Sequence, residues 1–579
     1  MNAPMPAAPA APAAPALVPP TWTTGSTLVF KTGTWRAALA RHVVAPAPCH
    51  QACPVDGDIP EWLGLARKQD WRGAWDVLVR HNPFPAITGR VCHHPCESVC
   101  NRAGYDEALA ICRMERYVGE RALAQGWQFA PPPRERAGHV AVIGGGPAGL
   151  SAAFQLRRRG WRVSLYEATG TLGGLMRHGI PGYRLPRDVL NAEIARVLAL
   201  GVEVHHGVRI DDPQAFAALR AAHDAVFVAT GAARPRALPQ LDAKATWWVQ
   251  GAEYLAAANA GTPPPLGPRV VVIGGGSAAI DTARSARRAG HEVTLLALES
   301  RAQMPAQHEE VDEALEEGVT LLDGATLERA APTANGLRLE CSRVRFVPGA
   351  ERGRFRIEPI AASAFTLEAD AVVVSIGQDA DLAPFGDAFV ARDRVIGADR
   401  SGRTGADGVW AGGDVASMGR FVTEAFGMGK RAALAIHAEL LRRQGGASAD
   451  AAGGIPAPQA TVPAVSADAI ASWYYEHGAR APQRRLPPAE RVGTNEVQLG
   501  LDEGEALAES ARCFSCGTCI DCDNCVVVCP DLAVQRLAAP LADGAAAVRY
   551  EVLLDYCKGC GLCVRECPTG SMTMEEDRR

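Results

Sequence analysis

A chain of 579 residues with 47% hydrophobic and 21% charged side chains and a net charge of −5 has the composition of a globular protein of about four domains. That balance offers no nucleic-acid or anionic-membrane partner, and the chain has no run of about eighteen apolar residues to span a bilayer. The abnormal figure is 17 cysteines, grouped toward the two ends in CxxC and CxxxC spacings that suit thiolate ligation in a reducing cytoplasm better than a disulfide framework.

Residues 1–34 open on an Ala/Pro tract with no basic n-region and read as a disordered tail. Residues 35–130 form a helical Fe–S domain, in which apolar residues recur at spacings of three and four through IPEWLGLARKQDWRGAWDVLVRHNPFP. Its cysteines are Cys49 and Cys53 in CxxxCP, then Cys92, Cys96 and Cys100 in CxxxCxxxC. PPPRERA at 131–137 is a linker.

At 139–150, HVAVIGGGPAGL reads as a buried strand, a glycine turn and a helix, with Gly144, Gly146 and Gly149 in GxGxxG register. Such a turn lets a pyrophosphate approach the backbone closely, and the helix then supplies N–H groups and a positive dipole end. Glu167 closes the next strand where an acid would meet a ribose hydroxyl. Residues 171–186, TLGGLMRHGIPGYRLP, are too rich in Gly and Pro for regular structure and form a loop, containing Gly174, that touches the cofactor. AVFVATG at 225–231 is a buried strand.

A second fingerprint at 269–279, RVVVIGGGSAA, sets Gly274, Gly276 and Ala279 in GxGxxA register, so two dinucleotides are expected. Glu299 ends the following strand; a carboxylate there accepts from the adenine ribose 2′-OH and repels a 2′-phosphate, favouring NAD(H), unless it is only a solvated turn residue. AVVVSIGQ at 371–378 and GVWAGGDV at 408–415 then return to the first domain. Asp414 in the latter is either a helix N-cap or, as the repeated strand-to-glycine construction favours, a flavin ribityl contact. The expected fold is multidomain, with two Rossmann-like α/β domains: an FAD-binding domain of 138–265 and 371–443, and an NAD-binding domain of 266–370 inserted in it.

Residues 444–505 read as a linker, most flexible over 444–466, leading to an α+β ferredoxin domain at 506–579. Cys519, Cys522, Cys525 and Cys529, then Cys557, Cys560, Cys563 and Cys567, each fit CxxCxxCxxxCP. In this doubled run the fourth cysteine serves the other 4Fe–4S cluster, giving one site of Cys519, Cys522, Cys525 and Cys567 and another of Cys557, Cys560, Cys563 and Cys529. Zinc suits any isolated CxxC and stands as the remote alternative to this doubled run.

Residues 45–440 resemble the small, flavin-containing subunit of glutamate synthase and the half of dihydropyrimidine dehydrogenase that takes in electrons. The resemblance rests on GRVCxxPCExxC, VIGGGPAGL, GGLMRHGIPGYRLP, VVVIGGGSAAID, the MPA at Met304 and AGGDV. Residues 513–575 are similar to the two-cluster ferredoxin subunit of 2-oxoacid:acceptor oxidoreductases. The resemblance implies FAD at the first fingerprint and a nicotinamide cofactor at the second. NADPH-using members carry a YRR run whose arginines hold the 2′-phosphate; Ala297, Leu298 and Glu299 stand there here, which again favours NADH.

The family also begins its cluster region with RCxxCG before the CxxxCP pair, and nothing like it precedes Cys49; the motif instead stands at 511–517, ARCFSCG. In the family, seven cysteines and one Gln or Glu hold two N-terminal clusters. The resemblance therefore implies that Cys49, Cys100, Cys513 and Cys516 hold one 4Fe–4S cluster and Cys53, Cys92, Cys96 and Glu115 the other. The rival is that Cys513 and Cys516 are spectators and one N-terminal cluster forms. Cys112 and Cys341 read as structural thiols without partners.

A nicotinamide exchanges hydride, Fe–S clusters pass single electrons and a flavin does both, so the domain order describes a two-to-one electron converter in the cytoplasm with no acid–base dyad required. No amidotransferase or thiamine-binding signature is visible. The substrate chemistry is therefore expected on catalytic partner subunits, first a thiamine-diphosphate 2-oxoacid oxidoreductase, with ferredoxin as a further partner. Runner-up partners are an aldehyde oxidoreductase, an aromatic-ring reductase or a glutamate synthase large subunit. From another class, the chain could be a non-catalytic Fe–S scaffold or assembly protein.

Overall fold

The computed structural model describes residues 31–578 apart from 133, 351–353, 387–388, 390–393, 446–462 and 541–545. The expected tail at 1–30 and most of the flexible stretch at 444–466 lie outside these residues. No helix among the described residues is long and apolar enough to cross a membrane. The chain divides into a large unit, Ala45–Asp468 with Ser472–Thr518, and a small one, Met1–Val44 with Ala469–Ala471 and Cys519–Arg579.

The large unit holds two five-stranded parallel sheets. The first runs Val409–Ala411, Ala225–Val228, His139–Ile143, Arg162–Glu167, Glu203–His206 across its width. Its inner strands are buried on both faces, as helix-covered parallel sheets require. The second runs Thr320–Leu322, Glu292–Leu296, Arg269–Ile273, Ala371–Val374, Trp248–Gln250. This corrects the expected domain limits: Ala371–Val374 lies between Arg269–Ile273 and Trp248–Gln250 and does not return to the first sheet. The inserted domain therefore takes in residues from 248 and extends past 370. An apolar run ending in glycine looks the same whichever sheet it joins, because periodicity reports burial and not the pairing partner.

The helices Ile59–Arg67, Trp71–Leu78, Pro85–Val91 and Ile111–Ala124 form the N-terminal part of this unit around Trp62, Leu63, Trp75, Met114 and Val118. Asp70 starts the second of them by accepting from the Gly73 N–H at 2.9 Å. Residues 472–518 belong to the same unit, so most of the described part of the expected linker at 444–505 is structure. It doubles back through Leu486 N–H to the Val497 carbonyl (2.8 Å) and Leu499 N–H to the Arg484 carbonyl (2.9 Å), and Val497 N–H donates to the Tyr183 carbonyl (3.1 Å). A capping box of Asp502 and Glu505 then opens the helix Glu503–Ala511, and Ala481, Leu501 and Ala506 enter the helical core.

This strap closes on a buried ion network. The Arg284 guanidinium meets Glu313 at 2.8 Å and Glu317 at 2.7 Å, and Arg491 of the strap meets Glu316 at 2.7 Å. Arg284 also lies 4.8 Å from the Tyr183 ring centre. Replacing Arg284 by Met leaves Glu317 on Arg288 at 2.9 Å and Glu313 with Arg485 at 3.6 Å, and loss of the two short buried pairs costs about 3 kcal/mol; the thermal midpoint should fall by several degrees, and an unchanged midpoint would refute the role.

In the small unit, the strand Ala38–His42 pairs antiparallel with Met572–Glu576, and Val534–Pro540 pairs with Ala546–Val552. Residues expected in the tail and in the helical domain, 31–44, thus belong to the ferredoxin-type unit: Gly33 N–H donates to the Asp555 carbonyl (2.8 Å) and Val43 N–H to that of Ser571 (2.9 Å). Residues 506–518, expected in that domain, belong instead to the large unit.

Candidate cofactor and cluster sites

In the first sheet the strand His139–Ile143 turns through Gly144–Gly146 into the helix Pro147–Arg157. Gly144 has φ +108°, and a side chain there would meet the Ala229 carbonyl; one at Gly149 would meet the Gly144 carbonyl. The helix starts at Gly146 with no side chain capping it, which leaves its first N–H groups for an anionic ligand. Glu167 Oε2 accepts from the Gly145 N–H at 2.8 Å and Oε1 from the Thr169 N–H at 2.8 Å. The loop bearing Gly174 reaches this turn: Gly173 N–H donates to the Gly145 carbonyl at 2.8 Å, and a Cβ on Gly174 would stand 2.9 Å from Gly146 Cα. Asp414 sits in a short 3-10 turn after Val409–Ala411, with Gly413 against Ala148 of the helix start. Burial pushes its carboxyl up to about 6 against the pull of Arg420.

The second turn repeats the construction. Gly274 has φ +142° with the Ser375 carbonyl in the way of any side chain, Ala279 is fully buried, and the helix Ser277–Arg288 begins at Gly276 without a side-chain cap. A side chain on Gly275 would run into the Glu299 carboxylate, whose pKa burial raises. The Ala306 N–H donates to the Gly275 carbonyl at 3.3 Å, so the MPA segment after Met304 closes over this turn.

The N-terminal cysteines gather in two groups. Cys49 faces Cys513, Cys516 and Cys100, and desolvation with these neighbours lifts its thiol well above the usual range; Cys513 is pushed up to about 11 and Cys516 to about 12. Asn101 fixes this group from one side, donating to the Val465 carbonyl at 2.8 Å and to Cys516 Sγ at 3.5 Å. The second group joins Cys53, pushed to about 11, with Cys92, pushed to about 12, Cys96 and Glu115. Glu115, raised to about 7 by burial, has Oε1 held by Asn82 Nδ2 at 2.7 Å and Thr88 Oγ1 at 3.0 Å. Sequence reasoning missed Asn82 and Thr88, for which no motif speaks, and misjudged Cys112. Its thiol faces Cys92, Cys96 and Glu115 and donates to the Thr88 carbonyl at 3.6 Å, so it has neighbours after all. Cys341 is buried in the second domain's core.

In the small unit Cys525, pushed to about 12, faces Cys519, Cys522 and Cys567, and Cys563, pushed to about 11, faces Cys529, Cys557 and Cys560. Two matching backbone donors, Ala533 N–H on Cys529 Sγ and Ser571 N–H on Cys567 Sγ, both at 3.2 Å, serve the fourth cysteine of each run. Among the described residues no three His, Cys, Asp or Glu side chains are gathered closely enough to hold a single metal ion. Groups of desolvated thiols, in one case completed by Glu115, fit iron–sulfur clusters, whose cysteine ligands give up their protons to bind.

Residues 138–432 match the family described as pyridine nucleotide-disulphide oxidoreductase. The chain belongs to that family. Residues 41–127 match the dihydropyrimidine dehydrogenase domain II with its 4Fe–4S cluster, and 518–571 a 4Fe–4S dicluster domain. Over 526 residues this oxidoreductase is 35% identical to the beta subunit of the NADP(+)-dependent formate dehydrogenase of Moorella thermoacetica, covering 83% of this chain and 72% of that one. It is 33% identical over 414 residues to the glutamate synthase [NADPH] small chain of Azospirillum brasilense (67% and 86% covered). With the NAD-dependent dihydropyrimidine dehydrogenase subunit PreT of Salmonella typhimurium it shares 31% over 396 residues (68% and 90%). The expected resemblance to the glutamate synthase small subunit and to dihydropyrimidine dehydrogenase holds. The chain is an NAD(P)-dependent FAD and iron–sulfur oxidoreductase subunit for electron transfer, with 4Fe–4S domains at both ends.

Proposed function

We propose that this chain passes electrons between NAD(H) and a catalytic partner subunit by way of FAD and four 4Fe–4S clusters. FAD would be held at Gly144, Gly146, Gly149, Glu167, Gly174 and Asp414, and NAD(H) at Gly274, Gly276, Ala279 and Glu299. The Rossmann-like domain of the second sheet, inserted in that of the first, would bring NAD(H) to FAD. A bound flavin accepts two electrons as hydride and releases them one at a time.

The observation that carries the reading is how the helix Val422–Arg443 packs. It lies along Pro147–Arg157, Gly429 against the Ala148 carbonyl, and its other side meets the loop after Cys53, where Lys430 Nζ donates to the Val55 carbonyl at 2.5 Å. A side chain on its Gly427 would strike the Pro54 carbonyl. The group of Cys53, Cys92, Cys96 and Glu115 therefore stands beside the first dinucleotide site and takes electrons first. The group of Cys49, Cys100, Cys513 and Cys516 follows, and the ferredoxin run begins three residues later in sequence, at Cys519.

For the partner, the likeness of residues 513–575 to ferredoxin subunits supports a 2-oxoacid oxidoreductase, while the similarity to a formate dehydrogenase beta subunit over 83% of this chain and 72% of that one favours a formate-oxidising partner. Anaerobic copurification decides: thiamine-diphosphate subunits support the first reading and a formate dehydrogenase alpha subunit the second. NADH-driven reduction of a viologen dye by the isolated holoprotein is the expected activity; failure to reduce any dye would return the chain to the scaffold class.

A further inference from the structure

Resting on the ligand assignment just proposed, we infer that Thr423 is a positioning residue that sets the reduction potential of the cluster held by Cys53, Cys92, Cys96 and Glu115. Thr423 Oγ1 lies 3.3 Å from Cys92 Sγ, and its residue is only 3% exposed. It occupies the second position of the helix Val422–Arg443. Just before that helix, Phe421 stacks on His93 with ring centres 4.0 Å apart at 19°. The segment Phe421–Thr423 thus grips two consecutive residues of the cysteine loop, ring on ring and hydroxyl on sulfur.

As a free thiol, Cys92 can donate or accept in this pair. As an iron ligand it is a thiolate with no hydrogen, so Thr423 must donate. Cys92 also accepts from the His94 N–H at 3.3 Å, but a backbone donor comes with the fold, whereas the hydroxyl is a choice of side chain. In the other N-terminal group, Asn101 is the corresponding side-chain donor, to Cys516. Reduction adds one electron to the cluster, breaks no bond and moves no proton. The hydroxyl stabilises the added negative charge spread onto the sulfur, so it favours the reduced cluster and raises the potential.

The test is a mediated redox titration of the anaerobically purified holoprotein by EPR, with iron counted in every variant. Thr423→Val should keep its iron and shift the equilibrium of one cluster toward the oxidised form by up to about tenfold, or about 59 mV for one electron. Thr423→Ser should restore the parent value. Asn101→Leu should move a different cluster's signal and leave this one in place. Thr423→Ala replaces the valine variant if that one does not fold. A cluster retained at the parent potential in the valine or alanine variant overturns the inference. So does a serine variant shifted as far as valine, or loss of iron from both hydroxyl-free variants, which would make Thr423 a structural clamp. Cys92→Ser tests the underlying assignment separately: it should lose one cluster, and full iron content there would remove Cys92 from the ligand set.

Discussion

Exchanging Cys513 and Cys516 together for serine should remove one cluster and leave the other three, so that iron falls from about sixteen to about twelve per FAD. Serine nearly matches cysteine in size, so packing survives, but its neutral hydroxyl is a poor substitute for a soft thiolate. The expectation rests on how firmly the chain delivers these residues to Cys49 and Cys100. Val465 N–H donates to the Pro46 carbonyl at 3.1 Å, and a side chain on Gly517 would strike the Ala45 carbonyl, so the strap lies on the segment that leads into Cys49. Arg102 Nη1, two residues after Cys100, donates to the Arg512 carbonyl at 2.6 Å, one residue before Cys513. Glu509 holds the Ala110 N–H at 2.7 Å and the Ala481 N–H at 2.8 Å. Between the two cysteines Ser515 takes φ +52°, which points its N–H at Cys513 Sγ, 3.4 Å away. Sixteen irons in the double variant would mean that Cys513 and Cys516 are spectators; twelve already in the parent would mean that the fourth cluster does not form.

The parts of this molecule that were legible in the sequence are those whose chemistry is local. A glycine turn must have its glycines in register, and a cluster run must have its cysteines within a few residues, so Gly144 to Gly149, Gly274 to Ala279 and the doubled ferredoxin run could be read directly. Even the return of Cys513 and Cys516 to Cys49 leaves a local mark, the displaced RCxxCG motif at 512–517. What could not be read depends on partners distant in the chain. Ala371–Val374 is an apolar strand in either sheet, and only pairing with Val270–Ile273 decides between them. Ala38–His42 is too short and too mixed to announce a strand, and it gains its place from Met572–Glu576. The strap reads as a linker in sequence because it follows an Ala-, Pro- and Gly-rich stretch and carries no motif, and its Arg480, Arg484, Arg485 and Arg491 do not announce their partners. They serve as ion-pair partners: Arg484 to Glu505 at 2.9 Å, Arg485 to Glu316 at 3.4 Å, and Arg480 to Glu97. Thr423 and Asn101 left no trace at all, since a single hydroxyl or amide carries no spacing signal.

The coenzyme preference should respond most strongly to the strand end at Leu298 and Glu299. With Glu299 in place, a 2′-phosphate of charge about −1.5 to −2 would face a carboxylate that already crowds Gly275. The nearby Arg301 offers no relief: its guanidinium is paired with Asp312 at 2.6 Å, and its N–H donates to Asp323 at 2.8 Å. Glu299→Gln alone should weaken the discrimination by about tenfold, because the ribose hydroxyls keep an acceptor while the repulsion is lost. Leu298→Arg with Glu299→Arg should go further and reverse the preference, since each guanidinium adds a charge-assisted hydrogen bond to phosphate worth about 1.5–3 kcal/mol, about 10²-fold for the pair at the low end. Leu298 is half-buried and leaves a long side chain a way out, whereas Ala297 is fully buried in the second domain's core. Introducing the family's tyrosine there would overpack that core, so the exchange is confined to the two exposable positions. The measurement is the ratio of kcat/KM for NADH and NADPH in dye reduction by parent and variants. A parent that already prefers NADPH would show Glu299 to be a bystander, and a ratio unmoved in the double variant would place the adenosine ribose elsewhere.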